Sequence, residues 1–125
     1  MTKEQLEFYL NRKNVFGYNT EKNDKVVGWI KLSKLFPISG FFERFQDIAD
    51  PKTVEEQMKI QREPYCVNIG QVTREAFDSD KYPGNDDYLL NVNYFFSNLD
   101  DVEKFIQDLG YDLSEIKWKV DFDFL

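Results

Sequence analysis

The spacing of apolar residues predicts that the chain opens with a helix. Leu6, Tyr9 and Leu10 recur at helical spacing, so residues 3 to 13 are predicted to form a short amphipathic helix. Thr2 opens a capping-box pattern directly before it, which favours a helix start at this point.

A hairpin and a second helix are predicted next. The β-prone segments Val15 to Tyr18 and Val26 to Leu32 flank a polar stretch from Asn19 to Asp24 that is typical of a turn, so the three together predict a hairpin. After a break in the chain, five apolar residues mark one face of the second helix: Phe41, Phe42, Phe45, Ile48 and Ala49.

A third helix is predicted from its boundary signals. Asp50 stands at the N-cap position and Pro51 at the first helical position, where its fixed backbone angle suits a helix. Val54 and Met58 are expected to form the inner face. The helix is expected to end before Pro64.

The second half of the chain alternates strands with helical segments. Tyr65 to Ile69 and Tyr88 to Phe96 are predicted strands, whereas Gly70 to Phe77 fits either a helical turn or further strand. The clearest helix is capped by Asn98 and ends at Gly110, in the usual position for a left-handed cap; its apolar residues keep a 3.6-residue period.

The last segment alternates apolar and charged residues, which predicts a strand from Ile116 to Phe124 with one buried face. The whole order predicts an α+β fold: a single domain over residues 1–125, with a mixed sheet of about five strands and helices mainly on one face. We expect the closing strand, helix and strand to form a right-handed crossover that places two strands in parallel.

Composition excludes several kinds of chemistry. Among 125 residues there is no histidine, so an imidazole general base, a Ser-His or Cys-His pair and a His-ligated metal are excluded. The lone Cys66 is expected in the core rather than as a nucleophile. The glycines form no nucleotide-binding motif. We therefore expect no enzyme activity, no cofactor and no metal.

The chain has a net charge of −7, and its acidity is concentrated in one half. Residues 1–74 contain 12 basic and 10 acidic side chains (+2), and residues 75–125 contain 4 basic and 13 acidic ones (−9). Such a field attracts a basic protein and repels nucleic acid. The charged N-terminus and short apolar runs predict neither a signal peptide nor a membrane segment, and the single cysteine favours a cytoplasmic location.

The polar loop from Asp78 to Asp87 is the first candidate binding site. A calcium loop is disfavoured, because Tyr82 and Leu89 occupy positions that need oxygen ligands. The alternatives are a solvated turn and a partner-binding loop, in which carboxylates accept hydrogen bonds from Arg and Lys around one aromatic anchor. The candidate partner-binding residues in this loop are Asp78, Asp80, Tyr82, Asp86 and Asp87.

Asp100 and Asp101 extend the list of candidate partner-binding residues. Both lie in the first turn of the last predicted helix, where carboxylates also complement the helix dipole. They would enlarge the acidic surface if the fold brings them to the loop. Adjacent carboxylates such as Glu55 and Glu56 point about 100° apart on a helix, so they do not form a glycosidase-like pair by themselves.

A small, acidic, aromatic-rich α+β domain with the loop Asp78 to Asp87 resembles the immunity proteins of bacterial toxin systems, including those of contact-dependent growth inhibition. The resemblance implies a non-catalytic inhibitor that binds a cognate toxin domain, often a nuclease with a basic active site. Two alternatives stay open: a small-molecule-binding or regulatory domain, and a phage-encoded acidic inhibitor that mimics nucleic acid.

Overall fold

The computed structural model describes residues 1–79 and 84–124, and it has an α+β fold. The helices and strands are, in chain order, α1 (Lys3–Leu10), β1 (Phe16–Lys22), β2 (Val26–Lys34), α2 (Pro51–Arg62), β3 (Tyr65–Thr73), α3 (Arg74–Asp78), β4 (Tyr88–Phe96), α4 (Leu99–Asp108) and β5 (Lys117–Trp118). Short helical turns lie at Phe41–Phe45, Asn85–Asp87, Leu113–Glu115 and Lys119–Asp121. The five strands form one sheet in the order β4-β3-β2-β1-β5.

The predicted helix caps are present. The side chains of Thr2, Asp50 and Asn98 each accept a hydrogen bond from a backbone N–H in the first turn of α1, α2 and α4. These bonds satisfy donors that a helix start otherwise leaves unpaired. Gly110 follows α4 with φ at +93°, a left-handed conformation that glycine adopts without a Cβ clash.

The larger core lies between one face of the sheet and helices α1 and α4. Alternate residues of β1, β2 and β3 point to this face, as the pleat of a strand requires. The fully buried side chains in this core are Leu6, Leu10, Phe16, Leu32, Val67, Val102 and Ile106. Packing against this face holds α4 along the sheet, which fixes the position of its exposed side.

A smaller core covers part of the opposite face. Trp29 is 1% exposed and clusters with Val27, Val72 and Phe122. The Phe122 ring lies against Gly17, where a Cβ would come within 2.6 Å of it. The C-terminal segment that carries Phe122 is therefore held across the sheet rather than within it.

Hydrogen bonds from Asn19 in β1 fix the C-terminal segment in place. The Asn19 carboxamide donates to the Asp123 carbonyl at 2.6 Å and accepts from the Asp123 N–H at 2.8 Å. The two residues are 104 positions apart in the chain. These two bonds satisfy the backbone N–H and carbonyl of Asp123, which lies outside the sheet and has no strand partner among the described residues.

The prediction for the end of the chain was wrong. Only Lys117–Trp118 pairs as a strand, and the chain then turns at Lys119–Asp121. Ile116 belongs to the larger core and Phe122 to the smaller one, so the segment passes over the sheet edge and cannot lie flat in it. Val120 is 89% exposed, although the alternation pattern placed it inside.

The predicted parallel crossover is also absent. Each pairing among the described strands is antiparallel, so the sheet is not mixed. β5 lies beside β1, at the opposite edge from β4. α4 therefore connects two outer strands instead of two neighbouring parallel ones.

Two helix predictions also need correction. The helix predicted over residues 41–49 is a five-residue π-helical turn, and Ile48 is 80% exposed. In α2 the buried residue is Gln57 rather than Met58, which is 43% exposed. Gln57 is buried with its Oε1 accepting a hydrogen bond from the Ile38 N–H at 2.7 Å. The spacing of apolar residues along the helix does not indicate such a polar contact.

The close approach of β3 to Trp29 gives a test of the smaller core. A Cβ at Gly70 would lie 2.2 Å from two atoms of the Trp29 ring, which is buried. We expect Gly70→Ala to lower the free energy of unfolding by about 2 kcal/mol, as overpacking does elsewhere. Urea unfolding at pH 7 measures this change.

Gly84→Ala is the matched control. Among the described residues a Cβ there meets only Asp87 Oδ2, at 3.7 Å, and φ of −77° suits alanine. Its expected effect is under about 0.5 kcal/mol. Equal effects of the two substitutions would contradict the packing of Trp29 on Gly70.

Candidate functional site

The structure describes part of the predicted acidic loop. Asp78 ends α3 and forms an ion pair with Arg74 at 3.1 Å. Asp86 is exposed, and Asp87 Oδ2 accepts a hydrogen bond from the Gly84 N–H at 2.7 Å. The predicted site residues Asp80 and Tyr82 lie outside the described residues.

The fold separates the two groups of predicted binding residues. Asp100 and Asp101 are exposed in the first turn of α4, where Asp100 pairs with Lys3 at 2.7 Å. Asp86 and Asp87 precede β4, and Asp100 and Asp101 follow it. Since β4 has nine residues, its two ends are roughly 30 Å apart. The two groups therefore do not form one continuous surface.

Instead, α4 and the turn after it carry their own acidic surface. Six carboxylates and one basic residue, Lys104, occupy residues 100–115. The carboxylates are Asp100, Asp101, Glu103, Asp108, Asp112 and Glu115. All except the half-buried Glu103 are exposed. We call this set the α4 acidic surface.

A cleft of about 720 Å³ lies at the C-terminal end of the α4 acidic surface. It forms because Gly110 turns the chain back towards β1 and brings the Tyr111 ring onto Tyr18, with 5.1 Å between ring centroids. Its lining, here called the acidic cleft, consists of Tyr18, Gln107, Gly110, Tyr111, Asp112, Glu115 and Lys117.

Hydrogen bonds and charge set the protonation states in the acidic cleft. The Tyr18 hydroxyl donates to the Asp112 carbonyl, and burial raises the pKa of Tyr18 above its ordinary value of 10.0. The carboxylates of Asp112 and Glu115 raise this pKa further. Hydrogen bonds from the Ser114 N–H and hydroxyl lower the pKa of Asp112. At neutral pH the cleft combines the Asp112 carboxylate with the aromatic rings of Tyr18 and Tyr111, a combination suited to a cation.

A second concave site lies on the opposite face of the sheet and was missed by the sequence analysis. We call it the asparagine groove. It measures about 290 Å³, and its lining consists of Trp29, Lys31, Ser33, Cys66, Asn68, Tyr88, Asn91 and Asn93. The alternation of Asn91 and Asn93 with apolar residues was visible in the sequence. Only the strand register sets Asn93 opposite Asn68 and brings Asn91, which is opposite Gly70, within hydrogen-bond distance of it.

Cys66 is buried, as predicted, and it also contributes to the lining of this groove. It is 8% exposed, and its Sγ is 3.8 Å from Asn93 Oδ1. Burial raises the pKa of the thiol, against the smaller opposing effect of Lys31 and Lys59. The thiol is therefore protonated at neutral pH, which agrees with the expectation that Cys66 is not an activated nucleophile.

No protein-family model, curated protein or solved structure matches the chain. Within residues 1–79 and 84–124, no group of three or more Cys, Asp or Glu side chains is placed to hold a metal ion. In the same residues, no helix has the length and apolar character needed to cross a membrane.

The raised pKa of Tyr18 predicts a change in stability at high pH. Above pH 10 the unfolded chain ionises at Tyr18 while the folded protein keeps it protonated, so the free energy of unfolding falls as pH rises towards the folded pKa. In Tyr18→Phe this contribution is absent. We therefore expect a shallower loss of stability between about pH 9 and about pH 11, measured by urea unfolding.

Tyr94→Phe is the control for this experiment. Tyr94 is 39% exposed, and its ring packs on Phe105, a contact that phenylalanine keeps. A pH dependence in Tyr18→Phe as steep as in the wild type would show that Tyr18 is not protected in the acidic cleft.

Proposed function

We propose that the protein is a non-catalytic inhibitor that binds a basic protein partner through the α4 acidic surface and the acidic cleft. The observation that carries the proposal is the grouping of six carboxylates with one lysine along α4 and the turn after it. Oppositely charged surfaces speed encounter and select the correct partner.

Asp108 supports a role for this surface beyond helix stability. It is the last residue of α4, and the last turn has no basic residue to compensate it. A carboxylate at this end opposes the helix dipole, whereas Asp100 and Asp101 at the other end complement it. The helix itself therefore gives no reason for an acidic residue at position 108, and binding of a basic partner supplies one.

The acidic cleft suits a lysine or arginine side chain of the partner. Asp112 and Glu115 offer carboxylate acceptors, and Tyr18 and Tyr111 offer aromatic rings beside them. Charge-assisted hydrogen bonds and cation–π contacts both strengthen when water is excluded. A basic side chain in the cleft would anchor the partner, and the rest of the α4 acidic surface would orient it.

This mode of binding agrees with the resemblance to immunity proteins of bacterial toxin systems. A nuclease toxin presents a basic site for nucleic acid, and an acidic surface docked over that site would block substrate access. A cytoplasmic location, where an immunity protein meets an incoming toxin, belongs to the same proposal. The acidic surface also makes the protein itself a poor ligand for nucleic acid.

The product of the adjacent open reading frame is the partner to test. We expect it to co-purify with the wild-type protein at low salt and to dissociate as salt rises. The double variant Asp108→Lys and Glu115→Lys should weaken binding roughly 10-fold or more, because it reverses two charges in the interface. Asp108→Lys also complements the helix dipole, so weaker binding would not reflect loss of α4.

The double variant Glu55→Lys and Glu56→Lys is the matched control. It makes the same change in net charge on the exposed side of α2, away from the acidic cleft. Binding should stay within about twofold of the wild type, because salt screens the effect of charges that lie far from the interface. Absence of co-purification, or equal weakening by both double variants, would contradict the proposal.

A further inference from the structure

Three asparagine side chains on β3 and β4 form a hydrogen-bonded set at the floor of the asparagine groove. Asn68 is 8% exposed, and its Oδ1 accepts from the Trp29 indole N–H at 2.7 Å. Its Nδ2 donates to Asn91 Oδ1 and to Asn93 Oδ1, each at 2.9 Å. All four residues lie on the face of the sheet opposite α1 and α4.

Trp29 fixes the orientation of every amide in this set. An indole N–H only donates, so the atom of Asn68 that faces it must be the oxygen. The Asn68 nitrogen must then face Asn91 and Asn93, whose oxygens accept from it. The Nδ2 groups of Asn91 and Asn93 are consequently turned away from Asn68, and neither has a partner among the described residues.

The groove therefore presents two outward amide donors. Asn91 and Asn93 each have an outward NH₂ group, and the Ser33 hydroxyl lies in the same lining. Asparagine is disfavoured in strands, and neither hydrophobic core contains Asn91 or Asn93. The oxygens of Asn91 and Asn93 satisfy the buried Asn68 amide, which leaves their NH₂ groups available on the exposed side of β4.

Lysine side chains lie in and near the asparagine groove. Among the described residues, the lining contains one charged side chain, Lys31, and no carboxylate. The ammonium groups of Lys59 and Lys119 lie close enough to affect the pKa values of Cys66 and Lys31. Lysines at this place attract an anion more than the acidic surface of the same protein does.

We infer that the asparagine groove is a binding site for a small anion, which it holds by carboxylate or phosphate oxygens. The outward NH₂ groups of Asn91 and Asn93 donate to those oxygens, and Lys31 lies in the same lining. A volume of about 290 Å³ limits the ligand to a small molecule or to one end of a larger one. The site lies on the opposite face from the acidic cleft, so it does not depend on the proposed partner binding.

Nuclear magnetic resonance titration of the full chain tests this site. Sodium succinate serves as the carboxylate probe and sodium phosphate as the phosphate probe, with sodium chloride at equal ionic strength as the reference. We expect saturable shifts of the Asn91 and Asn93 side-chain NH₂ signals with at least one probe. The probe that binds more tightly identifies the oxyanion class.

Asn93→Asp is the decisive variant. The carboxylate has the same shape, and it still accepts from Asn68, so the network and the fold are kept. It replaces an outward donor with a charged acceptor that repels the probe. Binding should weaken roughly 10-fold or more. Lys31→Met, which leaves all three asparagines in place, should also weaken binding.

Asn23→Asp is the matched control, because it makes the same chemical change at the turn between β1 and β2. Its Oδ1 accepts from the Lys25 and Val26 N–H groups, and a carboxylate keeps both bonds. Binding to this variant should equal that of the wild type within about twofold. The inference is overturned if neither probe gives saturable shifts, or if Asn93→Asp and Asn23→Asp bind alike.

Discussion

The packing of Trp29 on Gly70 is the contact on which one whole face of the sheet depends. The ring occupies the space that a side chain at position 70 would need, and it is 1% exposed. Its apolar surface organises the smaller core with Val72 and Phe122, while its N–H fixes the amide of Asn68. A single side chain thus joins a hydrophobic cluster to a polar groove.

The sequence allowed good prediction wherever the cause was local. The caps at Thr2, Asp50 and Asn98 depend on residues three positions away, and all three form. The strand Tyr88–Phe96 was predicted with its observed bounds, because its composition and flanking turns define it. The strand predicted at the end of the chain was wrong, because alternation of apolar and charged residues does not by itself show that a segment pairs with a neighbouring strand. Val120, for example, is exposed.

The candidate sites divide in the same way. The distribution of charge along the sequence indicated Asp100 and Asp101 as candidate binding residues. It could not show that β4 separates them from Asp86 and Asp87. The asparagine groove depends on the register that sets Asn68 beside Asn93, and that register is a property of the folded sheet. The net charge of −7 likewise does not show that the carboxylates gather along α4, whereas Lys31 is the one charged side chain among the described residues that line the asparagine groove.

The link between Asn19 and Asp123 has a consequence for the order of folding. Successive strands β1 and β2, like β3 and β4, pair with near neighbours in the chain, whereas this link closes a separation of 104 residues. Closing so long a loop costs entropy before its contacts compensate, so high-separation contacts form late. We expect the C-terminal segment to dock last during folding and to detach first in partial unfolding.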